Sequence, residues 1–321
     1  MGRVYLDGLR MTIQSKSYVD AMHAVLTHKG WTDRSKPMLA GMTAAAFRLS
    51  VNRRLTAESP TAYNWMAEHF LAGDFIGVAS SQQAGFSFAP TFPLYARQSI
   101  ESIRASIDRG TGAIFWKDDF VVAVGYRDDI GALLYSDGTE DEPLELPYEA
   151  FGINDSPYWY VQTFDDRMDA DEWTIYKESL IQAAAKWEWH DPLLPERDYA
   201  CGEAAYEAMA RAFESGDFDR DGARQIVGRL AAARRDIADY TAELHRRWPA
   251  CGAIATRYAE AADVLEEMNG LAARLPAGSG EAARLASMAE EVRGIEASAV
   301  REIRSLLRET IGNRFHDIGL R

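Results

Sequence analysis

Polar and apolar residues alternate from Arg3 to Thr12, the period of a half-buried strand with Val4, Leu6 and Leu9 turned inward. Ser17 then opens a helical spacing in which Val19, Met22, Val25 and Leu26 recur on one face, and Gly30 is its stop. A second helix is expected from Ser59-Pro60, a capping residue followed by proline at the first helical position, running through Tyr63, Met66 and Phe70. On this reading His69 ends that helix. Phe75 to Val78 is short and strand-like, and Tyr95 to Asp108 reads as an amphipathic helix closed by Gly110. Three apolar runs follow: Ala113 to Trp116, Phe120 to Tyr126 and Ala132 to Tyr135. The polar groups Lys117-Asp118-Asp119 and Arg127-Asp128-Asp129 separate them, which predicts an antiparallel meander. Tyr158 to Phe164 adds one more strand, and from about Asp171 the strand signals stop.

The second half is helical in pattern. Glu203 to Glu214, Ala223 to Trp248, Ala255 to Arg274 and Glu281 to Ile311 are rich in Ala, Leu, Glu and Arg, with apolar residues every three or four positions. Gly216 to Gly222, Pro249 to Gly252 and Pro276 to Gly280 break them, and their lengths suit a bundle. The fold class expected is α+β: a domain over 1–165 with a helix packed on an antiparallel sheet, then an all-α helical domain over 166–321.

Charge narrows the partners. The chain has 321 residues with 35 Lys and Arg against 49 Asp and Glu, a net charge of −14, which repels nucleic acid and anionic membranes. Apolar runs fall short of the roughly 18 residues a membrane span needs, and the N-terminus lacks the apolar core of a signal peptide. Two cysteines, Cys201 and Cys251, make neither a disulfide framework nor a cysteine-rich zinc site. These features predict a cytoplasmic protein.

Strong signatures of chemistry are missing: there is no phosphate loop, dinucleotide-binding glycine fingerprint, His-Glu-x-x-His or Gly-x-Ser-x-Gly. No cofactor is expected. Asp217, Asp219, Asp221 and Gly222 copy the first half of a calcium loop. Its twelfth position, where a glutamate should close the cage, is Gly228, and its apolar eighth position is Arg224. An acidic turn with Asp221 capping the next helix explains the same residues.

Three segments carry a resemblance. The first is SYVDAMHAVLTHKG (Ser17 to Gly30), the second DFVVAVGYRDD (Asp119 to Asp129) and the third LLYSDG (Leu133 to Gly138). Together they resemble the papain-like cysteine peptidases that trim bacteriocin leaders and the butirosin biosynthesis protein H group. Those families carry a Cys at a helix start, a His opening a later strand and an Asp after the next strand. The resemblance implies a papain-like N-terminal domain, with Ser17 at the nucleophile position, Asp119 at the histidine position and Asp137 at the orienting carboxylate. GMTAAAFRL (Gly41 to Leu49) is similar to a glycine-rich segment of the butirosin H group, which also has a helical C-terminal half.

The departures decide the functional expectation. Both cysteines lie in the helical half, and the histidines (His23, His28, His69, His190, His245 and His316) leave 70–189 without an imidazole. A serine hydroxyl needs a positioned base, and a carboxylate is a weak one at neutral pH. The reading is therefore a non-hydrolytic ligand-, acyl- or peptide-binding protein on a degenerate papain-like framework, in bacterial secondary metabolism or peptide maturation. Tyr18, Met42, Phe47 and Trp116 would wall its cleft, and the helix N-terminus at Ser17-Tyr18 offers amides to a ligand. The alternative is an acyltransferase or amide hydrolase with Ser17 as nucleophile, Asp119 or a water as base and Gln14 as oxyanion donor. Ser17 as an N-cap, Asp119 and Asp137 as turn formers, and the aromatics as core stay open beside both. A homo-oligomer through the helical half is a third possibility.

Overall fold

The computed structural model describes residues 3–274 and 279–317. Its contacts divide the chain into two compact units, Met1–Leu39 with Trp65–Ala170 and Ala40–Asn64 with Asp171–Arg321. The expected split at 165 thus differs on two counts. The boundary lies a few residues later, and 40–64 packs with the helical unit because its strand finds its partner there.

In the first unit β1 (Arg3–Tyr5) leads to α1 (Ser17–His28). The strand expected to reach Thr12 is only three residues long; beyond it Leu9 and Met11 are buried without strand pairing, so their inward pattern reflects packing rather than a ladder. Helix α2 (Lys36–Met42) crosses the boundary, and β2 (Ser50–Asn52) belongs to the second unit. The helix expected from Ser59 is a 3-10 turn over Ser59–Thr61, followed separately by α3 (Trp65–Phe75). His69 accordingly lies within α3 rather than at a helix end, and Phe75 closes a helix instead of opening a strand.

Next come β3 (Val78–Phe86) and α4 (Phe92–Asp108). The meander follows as β4 (Ala113–Trp116), β5 (Phe120–Arg127), β6 (Ala132–Ser136), β7 (Leu144–Pro147) and β8 (Tyr158–Arg167). The sheet runs β3-β8-β4-β5-β6-β7, and β1 also pairs with β5; every one of these pairings is antiparallel. Alternation along the strands gives it two buried faces. Ile100, Ile103 and Ile107 of α4 cover Phe115, Val121 and Val161 on one. On the other, Tyr18 of α1 and His69 of α3 pack against Phe120, with Tyr160 beside His69.

Among the described residues the second unit is helical apart from one short ladder. After α5 (Glu172–Glu188), capped by Asp171 accepting from Thr174 N at 2.8 Å, β9 (Tyr199–Cys201) pairs with β2. Strand structure thus continues beyond 171, contrary to the sequence pattern, because three residues are too few to show a period. Helices α6 (Glu203–Ser215), α7 (Arg220–Arg247), α8 (Gly252–Ala272) and α9 (Ser279–Asp317) follow. Of the expected breaker Pro276 to Gly280, 276–278 lie outside the described residues and Ser279 and Gly280 open α9. Within this core Arg234 and Glu296 are almost wholly buried. The guanidinium grips the carboxylate through Nε at 2.6 Å and Nη2 at 3.1 Å and donates Nη1 to Ala46 O at 3.0 Å. Tyr206 completes the group by donating its hydroxyl to Glu296 at 2.7 Å. No described helix is long and apolar enough to cross a membrane.

Candidate functional site

Helix α1 begins without a side-chain cap. Its N-cap is Lys16, in extended conformation with no capping side-chain bond, so Ser17 is the first helical residue and not the cap it could have been. Asp20 serves the loop instead. Wholly buried one turn into the helix, its carboxylate accepts from Gln14 N at 2.8 Å and Ser15 N at 3.3 Å. Lys36 Nζ stands 3.1 Å from the other carboxylate oxygen and also donates to Thr12 O and, at 2.9 Å, to Thr12 Oγ1. Burial pushes the Asp20 carboxyl above the usual carboxylate range, opposed by the Gln14 amide and by Lys36.

With the loop fixed this way, the Ser17 hydroxyl is directed elsewhere. It is 7% exposed and donates to the Asp119 carboxylate, 102 residues along the chain. The β4–β5 turn puts Asp119 there. Lys117 N donates to Asp119 O at 2.8 Å across it, and Asp118 adopts φ 61°, the left-handed conformation that Asp tolerates better than most residues. Asp118 is held by Lys117 Nζ at 2.5 Å and by Asp155 N at 2.7 Å. The first amide of β5, Phe120 N, donates to Asp119 Oδ1 at 3.1 Å and lies 3.4 Å from Ser17 Oγ. Hydroxyl, carboxylate and amide therefore meet at one point.

An aromatic bed supports the pair. Tyr18 stacks on His69 with ring centres 3.4 Å apart, and Phe120 meets both rings edge-on. Trp65 lies against Trp116 and Phe120 at 4.5 and 5.1 Å. Beneath them the buried Gln162 accepts from Tyr18 OH at 3.1 Å and Tyr160 OH at 3.2 Å, and donates to Ser80 Oγ at 2.9 Å. Sequence reasoning missed Gln162, His69 and Asp20 as members of this assembly. The one available signal was an acidic residue amid the apolar Tyr18, Val19, Ala21 and Met22.

Tyr18 is 2% exposed and belongs to this bed. Trp116 is buried as well, with Nε1 3.3 Å from Ser156 Oγ. Met42 and Phe47 are part of the second unit, where Phe47 packs edge-on against Tyr240 and Tyr258. Asp137 accepts from Thr139 N at 2.9 Å and Thr139 Oγ1 at 2.8 Å, closing its own turn. Gln14 is exposed, and its amide is the one that Asp20 engages. His23, which burial holds below the usual imidazole range, lies with Nε2 2.9 Å from Arg34 O.

The three aspartates of the half calcium loop have separate partners. Asp217 pairs with Arg54 at 2.9 Å and Asp221 with Arg224 at 2.5 Å. Asp219, rather than Asp221, caps the following helix by accepting from Gly222 N at 2.9 Å. Among the described residues no three His, Cys, Asp or Glu side chains gather as a metal site.

Comparison with protein-family models gave no match, and comparison with curated proteins gave no relative.

Proposed function

We propose that the first unit holds an acyl or peptidyl group without hydrolysing it, on a papain-like framework whose Cys and His have become Ser17 and Asp119. The observation that carries this reading is the Ser17–Asp119 hydrogen bond. It joins a helix start to a strand start, the two seats that a thiol–imidazole pair occupies in the family the sequence resembles. An imidazolium stabilises a thiolate beside it, whereas a carboxylate accepting from a hydroxyl holds it as an oriented donor. The same carboxylate disfavours anionic ligands and suits a group with an N–H to donate. An amide or acyl-amine supplies such an N–H. On this reading the protein works in the cytoplasm, in secondary metabolism or peptide maturation of a bacterium.

The same contact gives the alternative its footing, because a nucleophile and a base must touch. Ser17 would then be acylated after proton transfer to Asp119. Incubation with an activated fluorophosphonate and with acyl-thioester probes, followed by intact mass measurement, separates the two. The proposal expects no stoichiometric adduct; one adduct per chain that disappears in Ser17→Ala overturns it.

A further inference from the structure

The first unit leaves one edge of its sheet unguarded. Strand β3, nine residues long, pairs with β8 on one side, and among the described residues no strand pairs with its other side. Natural edges are blunted by lysines, prolines or bulges pointing into the exposed row of amides and carbonyls. The outer part of β3 has none of these: Ser80 to Phe86 reads SSQQAGF, and its one register shift lies before it, between Ala79 and Ser80.

A groove runs beside that edge. Ser80 and Gln82, two apart on one face of β3, form a cavity of about 420 Å³ with Met66, Ala67 and Phe70 of α3. The amide of Gln82, turned so that both its ends are satisfied, accepts from Phe70 N at 2.9 Å and donates to Met66 O at 3.2 Å, which fixes helix to strand. Phe70 is nevertheless 55% exposed, and at the far end of the strand Phe86, Phe88 and Tyr158 form an exposed aromatic cluster.

Charge selects the occupant. From Trp65 to Ala96 the chain contains no Lys or Arg, and its charged residues are Glu68 and Asp74. Asp166, opposite Ala79 in the register, adds an exposed carboxylate at the same end, beside Arg167, whose guanidinium donates to Trp31 O at 2.7 Å. Two copies of a chain with net charge −14 repel, and here both would bring acidic rims together. We infer that β3 receives an extended segment of another polypeptide as an added strand, with an apolar side chain in the cavity by Phe70 and a Lys or Arg near Asp74. Backbone pairing then supplies affinity and the alternate side chains supply choice. This inference stands apart from the Ser17–Asp119 reading.

Selection of a random nine-residue displayed peptide library on the full chain tests it. Expected are enriched sequences that alternate apolar residues and carry Lys or Arg. Synthetic versions should bind about tenfold more weakly to Phe70→Ser, whose wall is lost, and to Ala84→Lys, whose edge is charged. Methylating alternate backbone nitrogens of the peptide should have the same effect. No enrichment over the two variants overturns the inference, as does equal binding of the methylated peptide. Concentration-dependent dimerisation that Ala84→Lys abolishes would overturn it in favour of a second copy.

Discussion

If the Ser17–Asp119 contact organises the site, the two side chains must be energetically coupled, and a double-mutant cycle measures the coupling. Ser17→Ala removes the hydroxyl while leaving Phe120 N on Asp119 Oδ1 at 3.1 Å, so the carboxylate keeps a donor. Asp119→Asn keeps the shape and removes the charge. A hydrogen bond to a charged group contributes about 1.5–3 kcal/mol. Ser17 is buried but Asp119 stays partly exposed, so water can replace part of the interaction and the low end applies. Each single change is expected to cost about 1–1.5 kcal/mol and the double change about 1 kcal/mol less than their sum. With an m-value of about 2–3 kcal/mol/M, each single variant lowers the urea midpoint by roughly 0.3–0.7 M. Trp65 and Trp116, both within about 5 Å of the Phe120 ring, report the transition by fluorescence. Strict additivity, with a coupling under about 0.3 kcal/mol, would refute the idea that this pair acts as a unit.

Two further outcomes follow from buried charge. Arg234→Met leaves Glu296 buried with only the Tyr206 hydroxyl as a donor from this group, and is expected to cost about 3–5 kcal/mol by chemical denaturation. Adding Glu296→Leu should restore most of that; a double variant as unstable as the single would show that packing, not unpaired charge, sets the cost. His23 has its folded-state pKa lowered, chiefly by burial, with Lys36 in the same direction and Asp20 opposing. The unfolded chain therefore takes up the proton first. The stability tied to this residue is fully present above the ordinary imidazole value near 6.5 and is lost as pH falls toward the lower folded value. His23→Gln should flatten the acid side of the stability profile there, and an unchanged slope would refute the assignment.

What the sequence made legible was what repeats. Helix α1 and strands β4, β5 and β6 emerge within a residue or two of their observed bounds, because their apolar spacing is long and their turns are marked by Gly30, Lys117-Asp118-Asp119 and Arg127-Asp128-Asp129. Strand β3 was hidden, since the sequence VASSQQAGF has no strict apolar alternation and owes its conformation to pairing with β8. Helix α5 was missed although Asp171 caps it and Ile175, Tyr176, Ser179, Leu180 and Ala183 are buried at helical spacing. At the site, Ser17 and Asp119 were legible through resemblance. The Asp20–Lys36 and Gln162 networks were not, because partners distant in sequence leave no local pattern.

The interleaving of 40–64 with 171–321 bears on how the chain can be made. Strand β2 emerges from the ribosome nearly 150 residues before its partner β9, and Ala46 O about 190 before Arg234. The nascent segment must wait with its apolar residues Leu49, Val51 and Leu55 uncovered, a state exposed to chaperones and to aggregation alike. Nor can a single cut release either half intact: a fragment starting after 170 lacks a β-strand and a hydrogen-bond acceptor for its buried arginine. A circular permutant that supplies 40–64 alongside 171–321 is the piece most apt to stand alone.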